Sequence, residues 1–447
     1  MNTFPLGIII PLWICLSLTA LASENPNYPF PQHRNYGKDT ILPNLYPRSW
    51  MDDDVREFYD VWKENYLVAA GEDTVGNPLF RIAFGPPGTE NHRVTVSEGQ
   101  GYGMMIIALM AGYETGAKTL FDGLWRFSRQ HPSEIDPRLM AWRVSEDDPQ
   151  EGDATSAFDG DADMAFALLL ADRQWGSDGE IDYAEAARRM IEAIYQSEIG
   201  PQSKLPMLGD WVGVEPDGSK YNQYASRSSD LMFSHFKAFF YFTRQEDWLQ
   251  VLEKARETAS HLQEDFSPST GLLPDFIVPQ SNTNPAPKPA APYFLESAND
   301  GHYYYNACRV PFRIGLDALL NRKAASKEIV EKISEWAERH HNGNPYAIAA
   351  GYDLDGNPVP DSDYFSTAFV APLGVAAMNV PSQQAWLNAI YDAINQTHQD
   401  YYEDSLTLLS LLVMTGNFWD PTDYGNAFFY PIIPCTPPAN PPPCCCL

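Results

Sequence analysis

Positive charge is in short supply in this chain. Its 30 Lys and Arg face 59 Asp and Glu, which leaves a formal net charge of −29 over 447 residues. A surface of that sign repels phosphate backbones and argues against nucleic acid as a partner. It suits a solvated, exported protein, and it would also suit a cationic polymer substrate. Cysteine is scarce where it would matter. Of six, Cys15 lies in an apolar N-terminal run, Cys435, Cys444, Cys445 and Cys446 lie in the tail, and Cys308 stands alone in the body. No disulfide framework and no zinc-type spacing can be drawn from that set. Long apolar runs end early. Phe4 to Ala22 is almost wholly apolar, and "ALAS" offers small residues for cleavage after Ala22, so residues 1–22 read as a signal peptide although "MNTF" lacks Lys and Arg. No later run is long enough to span a bilayer, so the expectation is a secreted protein with no membrane association once the signal is removed. A repeat of fixed period is missing too, and so is sustained strand alternation.

What is present is helical. A hydrophobic content of 44 % and an aromatic content of 13 % are enough for a large core. Apolar residues recur at intervals of three and four between Asp52 and Gly416, in segments bounded by Gly, Pro, Asp and Asn. Helix starts fall near Asp52, Glu98, Ala117, Asp161, Asp182, Ser228, Glu246, Asn306, Ser326, Asp361, Ser382 and Tyr401. Twelve helices in pairs, without an internal boundary, predict an all-α toroid of six helical hairpins with a cleft at one end. The expected layout is a lead-in over 23–50, one domain over 51–430, and a disordered Pro/Cys-rich tail over 431–447. The proline-rich stretch "NTNPAPKPAAP", residues 282–292, reads as a long loop inside the folded body, and such loops tend to be functional.

Three segments carry candidate chemistry. In "SEGQGYGMMIIALMAGYE", Ser97 to Glu114, Glu98 stands at a helix start, with Gly99, Gly101 and Gly103 giving the backbone freedom around it. A carboxyl in such half-apolar surroundings has a raised pKa and suits a general acid. In "SAFDGDADMAFALLLADRQW", Ser156 to Trp175, Asp159, Asp161 and Asp163 precede an apolar helix. The twelve-residue calcium-loop rule fails here, because Met164 stands where Gly is needed and Leu170 where a bidentate Glu is needed. One aspartate capping the helix and the others meeting a polar ligand is the better expectation. "FLESANDGHYYYNACRVPFRIG", Phe294 to Gly315, brings Glu296, Asp300 and Asn306 together beside Tyr303, Tyr304 and Tyr305.

The pattern "AFDGDADMAFALLLADRQW" resembles the signature of the family 8 glycoside hydrolases, departing at Phe158, where that family usually has Ser or Thr. "SEGQGYGMM", "RSSDLMFSHFKAF" and "YNACRVPFRIG" resemble further segments of the same family, so the likeness extends over most of the chain. It implies an (α/α)6 barrel and an inverting endo-glycosidase acting on β-1,4-linked glucan or mixed-linkage β-glucan, with chitosan as the alternative substrate. It maps the proton donor onto Glu98 and the residue that helps distort the sugar onto Asp159. One branch of the family has its general base just before "A-x-R"; that position is Asn306 here, and an amide cannot take a proton from water. The branch with Asn at this point draws its base from an inserted loop, which implies Glu296, with Asp300 as the alternative. Tyr102, Trp142, Trp211 and Tyr305 are expected substrate-binding residues, since sugar faces need flat side chains with polar neighbours, and the resemblance adds Asp230, Asn306 and Arg309 to the expected binding set. A monomer acting on a polysaccharide, with no cofactor and no metal, is the expectation. A non-catalytic carbohydrate-binding protein on the same scaffold would keep the aromatics and lose a carboxylate, whereas this chain has both.

Overall fold

The computed structural model describes residues 25–147, 154–214 and 219–423. The apolar N-terminal run and the Pro/Cys-rich tail, with the readings placed on them, lie outside the described residues. Twelve α-helices occur among the described residues, and they alternate in character along the chain. The even-numbered set is α2 (Ser97–Leu109), α4 (Phe158–Trp175), α6 (Phe233–Thr243), α8 (Val310–Asn321), α10 (Thr367–Ala377) and α12 (Tyr401–Met414). Every residue of α10 is buried, and every residue of α2 except Glu98. A helix apolar on all sides has to be enclosed by others. The odd-numbered set is α1 (Arg48–Tyr66), α3 (Ala117–Gln130), α5 (Tyr183–Ser197), α7 (Asp247–Asp265), α9 (Ala324–His340) and α11 (Gln384–Ile394). These bury one stripe only: in α1 it is Val55, Phe58, Tyr59, Trp62 and Tyr66, the spacing of one helix face.

Contacts follow that division. α2 touches α4, α4 touches α6, and so on through α8, α10 and α12, and α12 touches α2. Each of these inner helices is backed by one outer helix: α3 on α2, α5 on α4, α7 on α6, α9 on α8, α11 on α10 and α1 on α12.

The lead-in is more than a loose approach to this body. Its backbone N–H groups reach acceptors at or just beyond the C-terminal ends of inner helices: Asn27 to Gln174 O (2.9 Å), Phe30 to Ala111 O (2.7 Å), Arg34 to Gly416 O (2.6 Å) and Ile41 to Met378 O (3.0 Å). Helix C-termini leave carbonyls without intrahelical partners, and the lead-in supplies donors to that end of the molecule. The N-terminal ends are left to form the opposite face.

Two helix starts differ from expectation. Ser228–Asp230 forms a tight 3-10 turn and α6 begins only at Phe233; α10 begins at Thr367 rather than near Asp361. Strands, unforeseen in the sequence, form three small antiparallel sheets: β1 (Leu67–Glu72) with β2 (Pro78–Ile82), β3 (Val94–Val96) with β4 (Arg143–Ser145), and β5 (Ser226–Arg227) with β6 (Phe276–Ser281) and β7 (Asn284–Pro289). The proline-rich stretch is therefore half hairpin rather than loop: Ser281 pairs with Asn284 around Asn282 and Thr283, and Val278 pairs with Lys288. Prolines are tolerated in β7 because it is an edge strand.

Candidate active site

The N-terminal ends of inner helices converge on one cavity of about 370 Å³, lined by Glu98, Trp142, Asp159, Arg227, Glu296, Tyr305, Asn306, Arg309 and Tyr402 among others. Glu98 is the second residue of α2, delivered there by β3. α4 packs against that point through Gly160, where a Cβ would lie 2.4 Å from the Ser97 carbonyl carbon. Gly99 and Gly101 do not loosen the backbone as expected, because they lie inside α2. They allow close approach instead: a Cβ would meet the Tyr401 hydroxyl at 2.7 Å and the Asp163 Cβ at 2.7 Å, respectively.

Arg309 organises the cavity floor. Its Nη1 donates to Glu98 Oε2 (2.5 Å) and to Asp159 Oδ2 (2.7 Å), and its Nη2 donates to Ser229 Oγ (2.9 Å) and Asn306 Oδ1 (3.0 Å). Tyr401 donates its hydroxyl to the other Glu98 oxygen at 3.1 Å. Burial pushes the Glu98 carboxyl up, Asp159 adds to the rise and Arg309 opposes it, leaving it at about 7. Asp159 goes the other way. Burial would raise it, but Arg309 and Arg227 outweigh that and hold it below the usual carboxylate range. Two neighbouring carboxyls are thus driven apart, one proton-bearing near neutrality and one ionised, the separation an acid needs from an electrostatic partner.

Glu296 reaches the same cavity from the segment after β7 and is exposed at its rim. Its Oε2 accepts from Asn306 Nδ2 at 2.9 Å. Asp300, the alternative base, is buried and does not line the cavity. It accepts the backbone N–H groups of Leu295 (2.6 Å), Glu296 (3.0 Å) and Ser297 (2.7 Å), so it shapes the loop that carries Glu296.

The aspartate run on α4 diverges. Asp159 meets Arg309, Asp161 accepts the Met140 N–H (3.0 Å), and Asp163 pairs with Arg313 (2.6 and 2.7 Å) and with His235 (2.8 Å). None of the three caps the helix, whose N-cap is Ala157, and Asp161 and Asp163 are fully buried. Among the described residues, no group of three or more His, Cys, Asp or Glu is placed to hold a metal.

Of the expected binding residues, Trp142, Tyr305, Asn306 and Arg309 line the cavity. Three do not. Trp211 packs beside Tyr221, with ring centroids 5.3 Å apart, in a small separate core with Met207 and Phe294. Tyr102 is buried beneath the floor, 3.5 Å from Arg309 Nη1. Asp230 is fully buried 3.6 Å from Arg227, and burial pushes it up to about 7. Sequence reasoning missed Arg227, Tyr401, Tyr402 and a buried aspartate, Asp275. The available signals were the Arg opening "RSSD" and the double Tyr after the Asp400 N-cap.

The pattern of the glycosyl hydrolases family 8 matches residues 53–416. The chain belongs to this family and is a glycoside hydrolase. It is 40 % identical over 401 residues to a β-glucanase from Niallia circulans, covering 90 % of this chain and 93 % of that one. It is 39 % identical over 417 residues to an endoglucanase from Bacillus sp. (strain KSM-330), covering 90 % and 84 %. The apo structure of a β-1,3-1,4-glucanase from Paenibacillus sp. X4 superposes with a TM-score of 0.81 at 40 % identity, over 88 % of this chain and all of that one.

Proposed function

We propose that this protein is an exported, inverting endo-β-glucanase that cuts β-1,4 linkages in cellulose-type or mixed-linkage β-glucan. Its catalytic unit is a single domain over residues 51–430, built as an (α/α)6 barrel; the run of inner-helix contacts that returns from α12 to α2 supports that architecture. The observation that carries the functional reading is the pair of carboxyls on one cavity: Glu98 on a helix start, pushed up to about 7, and Glu296 on a separate segment at the rim.

In this reading Glu98, protonated, gives its proton to the departing glycosidic oxygen. Glu296 takes a proton from the water that attacks the opposite face of the sugar, the division of labour inversion requires. Asp159, held ionised by Arg309, faces the ring being distorted and stabilises the positive charge that develops there. Trp142 and Tyr305 offer flat surfaces to sugar rings, and a hydrogen bond of 2.9 Å between the Tyr305 and Tyr364 hydroxyls fixes the second of these.

A chitosanase is the second reading, favoured by the net charge of −29, which attracts a polycation. Reducing ends released from soluble mixed-linkage β-glucan and from soluble chitosan, measured side by side, decide between them. Release from glucan with the α-anomer appearing first by NMR is the expected result. Release mainly from chitosan would replace the substrate, and first appearance of the β-anomer would overturn the inverting roles of Glu98 and Glu296.

A further inference from the structure

Asp275 is a buried carboxylate just before β6, with no contact to the cavity and no evident duty in the chemistry. Its side chain is 2 % exposed, and among the described residues it forms no ion pair. Instead it gathers donors from one short turn. Oδ1 accepts the N–H groups of Tyr304 (2.9 Å) and Ala307 (2.7 Å), and Oδ2 accepts the N–H of Asn306 (3.1 Å) and, more distantly, its Nδ2 (3.4 Å). Three backbone N–H groups from a four-residue stretch, gathered on one carboxyl, fix a turn closely.

The backbone on either side of Asp275 is bound to the other parts of the site. Its carbonyl accepts the Ser228 N–H (3.1 Å), next to Arg227 and Ser229. Its own N–H donates to His302 O (2.7 Å), and the Phe276 N–H donates to Asp300 O (2.8 Å). Asp275 and its neighbour Phe276 therefore tie together the Arg227 strand, the loop that carries Glu296, and the turn that carries Asn306.

The orientation of the Asn306 amide follows from chemistry. Arg309 Nη2 can only donate, so the oxygen faces it; Glu296 and Asp275 carboxylates accept, so the nitrogen faces them. We propose that Asp275 is a positioning residue for the general base: by clamping the Tyr304–Ala307 turn it holds the Asn306 amide so that its nitrogen aims Glu296 and its oxygen aims Arg309. This rests on Glu296 being the base. The competing view is that Asp275 only stabilises the fold, and it makes a different kinetic prediction.

The test uses the full-length enzyme with four variants. Asp275→Asn keeps the shape but turns an N–H₂ against donors of the turn. It is expected to lower kcat by roughly 10- to 100-fold while KM stays within about 2-fold, because a misaimed base affects the transition state more than substrate binding. In an Asn306→Ala background the same change is expected to alter kcat by less than about 2-fold, since the group it acts through is gone. A purely structural Asp275 would lower the melting temperature and leave kcat unchanged well below it, and that result overturns the proposal; so does an additive loss in the double variant. Should Asp275→Asn not fold, Asn306→Ala still decides, because it leaves the three backbone donors in place: full kcat there breaks the chain from Asp275 to Glu296. Glu296→Ala separates the two readings. Azide needs no deprotonation and can attack the anomeric carbon as Glu98 protonates the leaving oxygen. Loss of activity restored by azide therefore keeps Glu296 as base, and wild-type kcat in Asp275→Asn then sinks the positioning role alone. Full activity in Glu296→Ala without azide would sink the base assignment itself.

Discussion

Replacing Arg309 by Met tests the central electrostatic claim about the site. The guanidinium makes four side-chain hydrogen bonds of 3.0 Å or shorter, two of them to carboxylates. Methionine matches much of the volume and removes the charge, leaving Glu98 and Asp159 side by side without their shared cation. Two buried carboxyls in that position cannot both stay ionised. Removing one partner of a buried pair costs about 3–5 kcal/mol, and proton uptake by the Glu98–Asp159 pair will recover part of that. The expected loss of stability at pH 7 is therefore about 3 kcal/mol, read from urea unfolding, and smaller at pH 5 than at pH 7. The same change predicts the direction of the activity profile. Glu98 must carry a proton to act, and in the wild type it loses that proton around pH 7, so the wild-type kcat/KM falls above neutrality. Arg309 opposes the upward push on Glu98. Without it, whatever activity survives must persist to higher pH, with the alkaline limb displaced upward. Arg309→Lys keeps a charge and loses the fork, so it should lower kcat with a much smaller displacement of that limb. An alkaline limb that stays where it is in Arg309→Met, together with a stability change under 1 kcal/mol, would refute the account of how Glu98 is tuned.

Glu98→Gln is expected to lower kcat by at least about 100-fold while oligosaccharide binding, followed by calorimetry, persists. Asp300→Asn should leave the position of both pH limbs unchanged and act through loop disorder, with faster proteolysis of the Leu295–Ser297 segment than in wild type. Asp163 predicts acid sensitivity. Burial raises its carboxyl, but Arg313 and His235 outweigh that and hold it at about 2, below its ordinary 3.8. Its stabilising contribution is thus full above pH 4 and is lost as pH falls from about 4 to about 2. Asp163→Asn should be less stable than wild type at pH 6, with the gap narrowing by about 2 kcal/mol across that window in urea titrations.

The helical plan was legible because it depends on local pattern. Apolar periodicity located most of the helices near their observed starts, and the all-buried sequences of α2 and α10 mark the inner layer without reference to their partners. The place of Glu98 at the start of α2 was legible for the same reason, whereas its proposed role as acid came from the family resemblance of its segment. What the sequence obscured were properties of non-local neighbours. Trp211 looks like a residue of the main cavity, but it sits half-buried and edge-on to Tyr221 outside that cavity's lining, and Asp230 looks like a ligand-binding group until burial beside Arg227 removes it from the cavity. Asp275 gave no signal, since an aspartate after a proline usually marks a turn, and the donors it collects lie some 30 positions later in the chain. The short strands escaped because elements of two to six residues are too short to show a period, and β7 is broken further by its prolines.

Glu98 and Glu296, the proposed acid and base, are held by different kinds of support, and the difference bears on how the proposed mechanism would work. Glu98 is part of α2, whose N-terminus is locked against α4 at Gly160 and against Tyr401 from α12, so its position is set by packed helices. Glu296 sits on a loop whose order comes from N–H groups folded around Asp300 and from one hydrogen bond that the Asn306 amide donates to Glu296. The two supports meet at the turn before α8, where Asn306 touches Glu296 and Arg309 touches Glu98. Asn306 and Arg309 are joined directly, through Nη2 to Oδ1 and through Nε to the Asn306 carbonyl at 3.3 Å. The spacing between acid and base is therefore fixed across a three-residue interval, which leaves little conformational freedom to lose when substrate binds. A substitution that loosens this turn should cost more rate than one of similar size elsewhere on the Glu296 loop, because it disturbs both proposed proton transfers at once, from Glu98 to the leaving oxygen and from water to Glu296.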